Sequence, residues 1–153
     1  MYWKKRKLYY KILIPPISKP FEDFNVQEAK SFFEWHINQI PSRIKYLGEI
    51  SSCKLDKTLQ SMVSLWQWFL NCAEVEKTPK KRMAELKQAL EKSPFSQDIL
   101  GESKVQFSLK TEYMIRDIGM YVGQFFVENS NKLYWSYHTD TDKDSFANIP
   151  LIS

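Results

Sequence analysis

Three aspartates at alternate positions, Asp140, Asp142 and Asp144, open like a calcium loop, because carboxylates on alternate residues can converge on one hard cation. The match then breaks down. Ser145 stands where the sharp turn of such a loop needs Gly, and Leu151 stands where its bidentate Glu belongs. The run therefore reads as a solvated turn between strands, and no metal or cofactor is expected. His36 and His138 are the residues best suited to general acid–base work or metal ligation. Neither has a carboxylate or cysteine at ligand spacing beside it, so an enzyme built on either would need a dispersed site completed in space by groups such as Glu34, Asp140 or Cys53. Nucleophile elbows, phosphate-cradling glycine loops and HExxH are absent, and four glycines leave little with which to build a phosphate loop. Cys53 and Cys72, with no CxxC and no other thiol, indicate neither a zinc site nor a disulfide framework.

Two stretches could do binding chemistry instead. At the N-terminus, Trp3, Lys4, Lys5, Arg6 and Lys7 lead into Leu8-Tyr9-Tyr10, the mixture of basic and aromatic side chains that neutralises phosphates and stacks bases. Its competing reading is a solvated terminus whose lysines discourage edge-to-edge strand pairing. Charge placement favours the second. Residues 1 to 20 hold six of the 22 basic residues and no acid, leaving 16 basic against 18 acidic residues and a net charge of −2 in the remainder. A domain with no basic face is a poor nucleic-acid binder, so binding through the arm is the lesser alternative. In Trp66-Gln67-Trp68-Phe69, Trp66 and Phe69 fall on an apolar stripe expected to be core, whereas Trp68 lies off it and is the candidate for contact with a partner protein.

The elements that must position these residues are bounded first by composition. With 153 residues, 43% hydrophobic and 15% aromatic, the chain suits one domain with a single packed core and no staples. No apolar run can span a bilayer, and the Ile12–Ile14 stretch is stopped by Pro15-Pro16 before it could serve as a secretory signal, so a soluble, cytoplasmic protein is expected.

Residues 7 to 14 are rich in β-formers and predict a strand. Asn25 and Glu28 form an Asn-led capping box for a helix presenting Val26, Ala29, Phe33, Ile37 and Ile40, stopped by Pro41. A short helix over residues 42 to 49 and a turn to Cys53 follow. Asp56 is placed to cap a long helix reaching about Val75, with Leu59, Met62, Val63, Trp66, Phe69, Leu70 and Ala73 as its buried stripe. Pro79 opens a peripheral helix bearing Met83, Leu86 and Leu90. Residues 109 to 127 form a helix that is apolar on most sides and hence central, with Gly119 and Gly123 as a smooth strip for a closely packed neighbour. Leu133, Trp135 and Tyr137 alternate with polar residues as a strand does, and residues 149 to 152 make a final one. The sum is a predominantly helical α+β single domain over 1–153, of about five helices with a small antiparallel sheet, whose residues 1–7 form a flexible basic arm.

The glycine-marked helix Arg116-Asp117-Ile118-Gly119-Met120-Tyr121-Val122-Gly123-Gln124-Phe125-Phe126, the strand Leu133-Tyr134-Trp135 and the run Asn148-Ile149-Pro150-Leu151 together resemble small uncharacterised α+β proteins of Gram-positive bacteria. The N-terminal half, from Val26-Gln27-Glu28-Ala29-Lys30 to Ile40-Pro41 and on to the Trp66 helix, is similar to the same group. In its helix-then-strand style the chain also resembles immunity proteins of bacterial toxin systems, which implies a small cytoplasmic binder of a cognate toxin domain. With no catalytic constellation and abundant aromatics, the function expected is non-catalytic protein binding, and immunity type is the form of it that the resemblance implies.

Overall fold

The computed structural model describes residues 8–91, 99–101, 103–139 and 147–153. Among these residues, four helices with defined bounds, a further helical stretch at 99–101 and a 3-10 turn are joined by two small antiparallel sheets, a predominantly helical α+β domain.

Helix α1 runs over Val26–Ser51. Its start is the capping box expected: the Glu28 N–H donates to Asn25 Oδ1 at 2.9 Å and the Asn25 N–H donates to Glu28 Oε2 at 2.8 Å. Pro41 does not stop it. Proline removes one intrahelical donor and crowds the preceding turn, at about 3 kcal/mol, yet Ile40, Arg43 and Leu47 on either side are all buried. Burial on both flanks outweighs the local cost, and the separate helices expected on the two sides of Pro41 are one. The helix ends at Ser52, which takes the left-handed conformation at φ 55°.

Helix α2 spans Leu59–Cys72 and is capped by Thr58, not Asp56; Asp56 instead accepts from the Thr58 hydroxyl at 2.7 Å and holds the cap in place. It stops three residues before the expected end because Glu74 is captured by the first turn of the last helix. The Glu74 N–H donates to Thr111 Oγ1 at 2.8 Å, and the Thr111 hydroxyl and the Ser108 N–H both donate to the Glu74 carbonyl. Val75–Lys77 then forms strand β1, which pairs antiparallel with β2, Val105–Phe107, in the register Val75 to Phe107. This hairpin brackets α3, Lys80–Ala89, which buries no residue fully and is peripheral as expected.

Helix α4, Leu109–Asn129, opens on the Ser108 cap and is central: α1 packs along it more extensively than any other pair of elements meets, and α2 lies on it as well. Three core clusters result, around Tyr10, Phe69 and Met114, around Phe24, Ala29 and Phe32, and around Leu47, Leu65 and Tyr121. Leu109, Ile115 and Phe126 are nevertheless exposed, so the helix is not enclosed on all sides.

Strands β3, Trp135–Ser136, and β4, Leu151–Ile152, pair antiparallel as the alternation predicts. Asn148, left-handed at φ 64°, ties this end of the chain to the 3-10 turn Phe21–Asp23 by donating from Nδ2 to the Phe21 carbonyl at 2.8 Å. The two glycines of α4 differ. A Cβ on Gly123 would fall well inside contact distance of the Trp135 ring, whose indole N–H is anchored on Gln124 Oε1 at 3.2 Å, whereas a Cβ on Gly119 would meet nothing within 4 Å. Gly123→Ala should therefore lose about 1 to 3 kcal/mol by overpacking. Gly119→Ala should gain up to about 1 kcal/mol of helix propensity. Urea midpoints of the two variants check this, and equal signs would contradict it.

The strand expected over residues 7 to 14 is absent from its described part, residues 8 to 14, which pairs with no other strand. Side chains replace the ladder. The Lys11 N–H donates to the Tyr46 hydroxyl at 2.7 Å, the Lys11 carbonyl accepts from Arg43 Nη2 at 2.9 Å, and the Leu13 carbonyl accepts from Arg116 Nη2 at 2.8 Å.

Candidate functional site

On α2 the apolar residues divide into two arcs. Leu65 and Phe69 are buried, and Met62, Trp68 and Cys72 pack partly buried against the core beside them. Leu59, Val63, Trp66 and Leu70, at four-, three- and four-residue steps, form the other arc and stay 71%, 49%, 54% and 58% exposed. Most of the stripe assigned to the interior by spacing thus faces outward. The two tryptophans exchange places: Trp66 stands on the surface, tilted against Phe69 at 5.2 Å between ring centroids, while Trp68 is half-buried among core residues.

This outer arc borders a groove of about 620 Å³ between α2 and α4, floored by Met62 and Leu65 and walled on the far side by Ile118 and Val122. Beyond that wall, Ile115 and Phe126 extend the apolar surface along α4. No residue from Leu59 to Cys72 is charged, in a chain that is 26% charged. The surface therefore combines large apolar side chains with the hydroxyl and amide groups of Gln60, Ser64, Gln67 and Asn71, the chemistry found at the centres of protein interfaces. The absence of charge from a 14-residue helix was the signal in the sequence that its outer face is not simply solvated.

Behind this surface lies a polar cluster that spacing did not reveal. Asp117 on α4 is fully buried and accepts from the Tyr10 hydroxyl at 2.5 Å. Arg43 Nε bridges both of its oxygens at 3.1 Å, and Arg43 Nη2 completes the ion pair. Burial and the hydrogen bond to Asp117 hold the Tyr10 phenol far above its ordinary pKa, so it is a fixed donor. Arg116, the next residue, stacks over Tyr113 at 4.5 Å and has no carboxylate ion pair among the described residues. The cluster fastens the N-terminal segment to α1 and α4, and every strong hydrogen bond in it is spent inside the protein.

His36 is buried on α1, edge-on to the Trp135 ring at 5.3 Å, with no partner for Nε2. Burial, reinforced by the positive charge of Arg116, lowers its pKa from 6.5 to about 4. It is thus neutral at pH 7 and shielded from solvent, and neither Glu34 nor Cys53 hydrogen-bonds to it. His138 is half-buried and its carbonyl accepts from the Asn148 N–H at 2.7 Å. The candidate contacts Trp3, Lys4, Lys5, Arg6 and Lys7, and the aspartates Asp140, Asp142 and Asp144, lie outside the described residues. Among the described residues no three His, Cys, Asp or Glu side chains gather as a metal site, Cys53 and Cys72 form no disulfide, and no helix is long and apolar enough to cross a membrane. Comparison with known protein families, curated proteins and solved structures finds no match to this chain.

Proposed function

We propose that this protein is a cytoplasmic, non-catalytic protein-binding module, of the type represented by toxin-immunity proteins, and that it engages its partner through the α2–α4 groove. The single observation that carries this reading is the uncharged α2 face bearing Leu59, Val63, Trp66 and Leu70 outward. Holding four large apolar side chains about half in water, beside an apolar groove, forgoes on the order of 1 kcal/mol of burial at each, and contiguous apolar surface of this kind marks interaction sites. The occupant that fits is an uncharged, apolar helix ridge of a partner protein, seated as helix-in-groove complexes are, with Trp66 as its anchor.

The test uses the wild-type chain and the double variant Trp66→Glu/Leu70→Glu, both shown by circular dichroism to be folded, as bait in extracts of the native host. A protein captured by wild type should bind it directly in purified form and bind the variant at least about a hundredfold more weakly, since one lost hot spot costs about 2 kcal/mol or more and the variant removes two. If the captured protein is a toxin, co-expression of wild type and not of the variant should protect cells. Equal capture by both proteins removes the groove from the reading. Concentration-dependent dimerisation of wild type, lost in the variant, would instead make the groove an interface between copies.

A further inference from the structure

On the face of α1 where the N-terminal segment crosses it, a second cavity of about 420 Å³ opens between that segment and Arg116. Its walls are aromatic: Phe21, Phe24 and Phe32 stand in mutual tilted and edge-on contact, with centroids 5.1 to 5.6 Å apart. Ser18 and Lys19 form part of its lining. Lys19 is already paired with Glu28 at 2.7 Å and is not the charge on offer. Arg116 is. Its Nη2 donates to the Leu13 carbonyl, its Nε is buried without any acceptor, and no carboxylate pairs with it among the described residues.

Arg116 is the positive charge left over. Two guanidiniums, Arg43 and Arg116, share the neighbourhood of one buried carboxylate, Asp117, which Arg43 and Tyr10 already saturate. His36, close enough to feel the Arg116 charge, is neutral, and Trp35 and Tyr113 meet the guanidinium with ring faces and not with a carboxylate. A partly buried cation whose one nearby carboxylate is already committed to another guanidinium is costly to maintain, and the cavity beside it is of the size that takes a small ligand.

We propose that this cavity is a binding site for a small carboxylate on a flat apolar body, with Arg116 as the charge partner and the Phe21, Phe24 and Phe32 rings receiving the body. A carboxylate suits a planar guanidinium because two parallel N–H···O bonds can form. A single ring suits the volume and the three aromatic walls, which favour edge-on and offset contact with another ring. This site is separate from the α2–α4 groove and does not depend on it.

The experiment is calorimetric titration of the full chain at pH 7 with benzoate and phenylacetate, and with benzamide and phenylacetamide as bodies of the same shape without the charge. The carboxylates should bind saturably at one site and the amides at least about tenfold more weakly, the loss of one charge-assisted interaction. Arg116→Gln should lose the carboxylate by a similar factor. Because Arg116 also holds the Leu13 carbonyl, that variant is paired with a measurement on wild type: benzoate should shift the amide resonances of Ser18, Lys19, Phe21, Phe24 and Arg116. Equal binding of acid and amide, shifts confined to other parts of the surface, or no saturable binding of either carboxylate would each overturn the proposal.

Discussion

Asp117→Ala should cost about 3 to 5 kcal/mol, because it removes one partner of a buried ion pair and leaves the other charge without compensation. Arg43 is only 5% exposed, and its Nε and Nη2 both lose their carboxylate acceptor in the variant. The Tyr10 hydroxyl loses its acceptor at the same time. Tyr10 packs with Phe69 and Met114, so the N-terminal segment should loosen together with the α1–α4 contact. The pair itself is not needed for that packing. Replacing both ends with apolar side chains of similar size is often neutral or stabilising, so Arg43→Met/Asp117→Leu, combined with Tyr10→Phe to remove the stranded hydroxyl, should recover most of the loss. Urea denaturation of the single and combined variants decides this. A loss below about 1 kcal/mol in Asp117→Ala would mean that water reaches the carboxylate and that the cluster is not a dry one.

Where local chemistry alone decides an element, the sequence was legible. Asn25 and Glu28 satisfy each other's backbone within one turn, and the alternation of Leu133, Trp135 and Tyr137 needs only a facing strand. The first was read correctly, and the second holds where Trp135–Ser136 faces Leu151–Ile152, a shorter pairing than the alternation suggests. The readings that failed depended on partners far along the chain. Residues 8 to 14 have the composition of a strand, but what reaches them is Arg43, Tyr46 and Arg116 from two helices, so they are held by side chains with no ladder. Val75 leaves the helical pattern because Thr111, 37 residues beyond Glu74, takes both backbone groups of Glu74. Pro41 ends helices in short peptides, and here burial of Ile40 and Arg43 against neighbouring elements carries the helix through it.

The candidate surface failed to appear for a different reason. Helix α2 is apolar over more than half its circumference, and a rotation of about one residue step, 100°, exchanges Trp66 for Leu65 at the centre of the buried face. Spacing alone cannot fix that rotation. Ser61 fixes it in the structure, because its hydroxyl meets the Tyr121 hydroxyl at 2.5 Å and the Tyr121 hydroxyl also accepts from the Lys57 N–H. A polar residue on the inner arc, matched to a buried tyrosine on α4, turns the larger apolar residues outward.

Acid should destabilise this protein well before its carboxylates titrate, and His36 is the reason. In the unfolded chain its pKa is the ordinary 6.5; in the native state burial first, and then the charge of Arg116, holds it at about 4. Between those two values the unfolded chain binds a proton that the native state refuses, so the free energy of unfolding falls as pH falls. The stability at stake is fully present above pH 6.5 and is lost progressively as the pH drops towards 4. The gap corresponds to about 3 kcal/mol, a large share of a typical domain's stability. Carboxylates held below their ordinary range by partners, Glu28 by Lys19, Asp56 by Thr58 and Glu128 by Lys57, begin to lose their stabilisation only as the pH falls through their unfolded values, 4.5 for Glu and 3.8 for Asp, at the lower end of this window and beneath it. His36→Leu removes the titration and also the buried Nε2 that has no partner. Urea unfolding at pH 7, 6, 5 and 4.5 should therefore show a falling stability in wild type and a nearly flat one in His36→Leu over the same range. If the two proteins lose stability in parallel, the imidazole is protonated in place, and the tight packing of His36 against Trp135 and Arg116 does not exclude the charge.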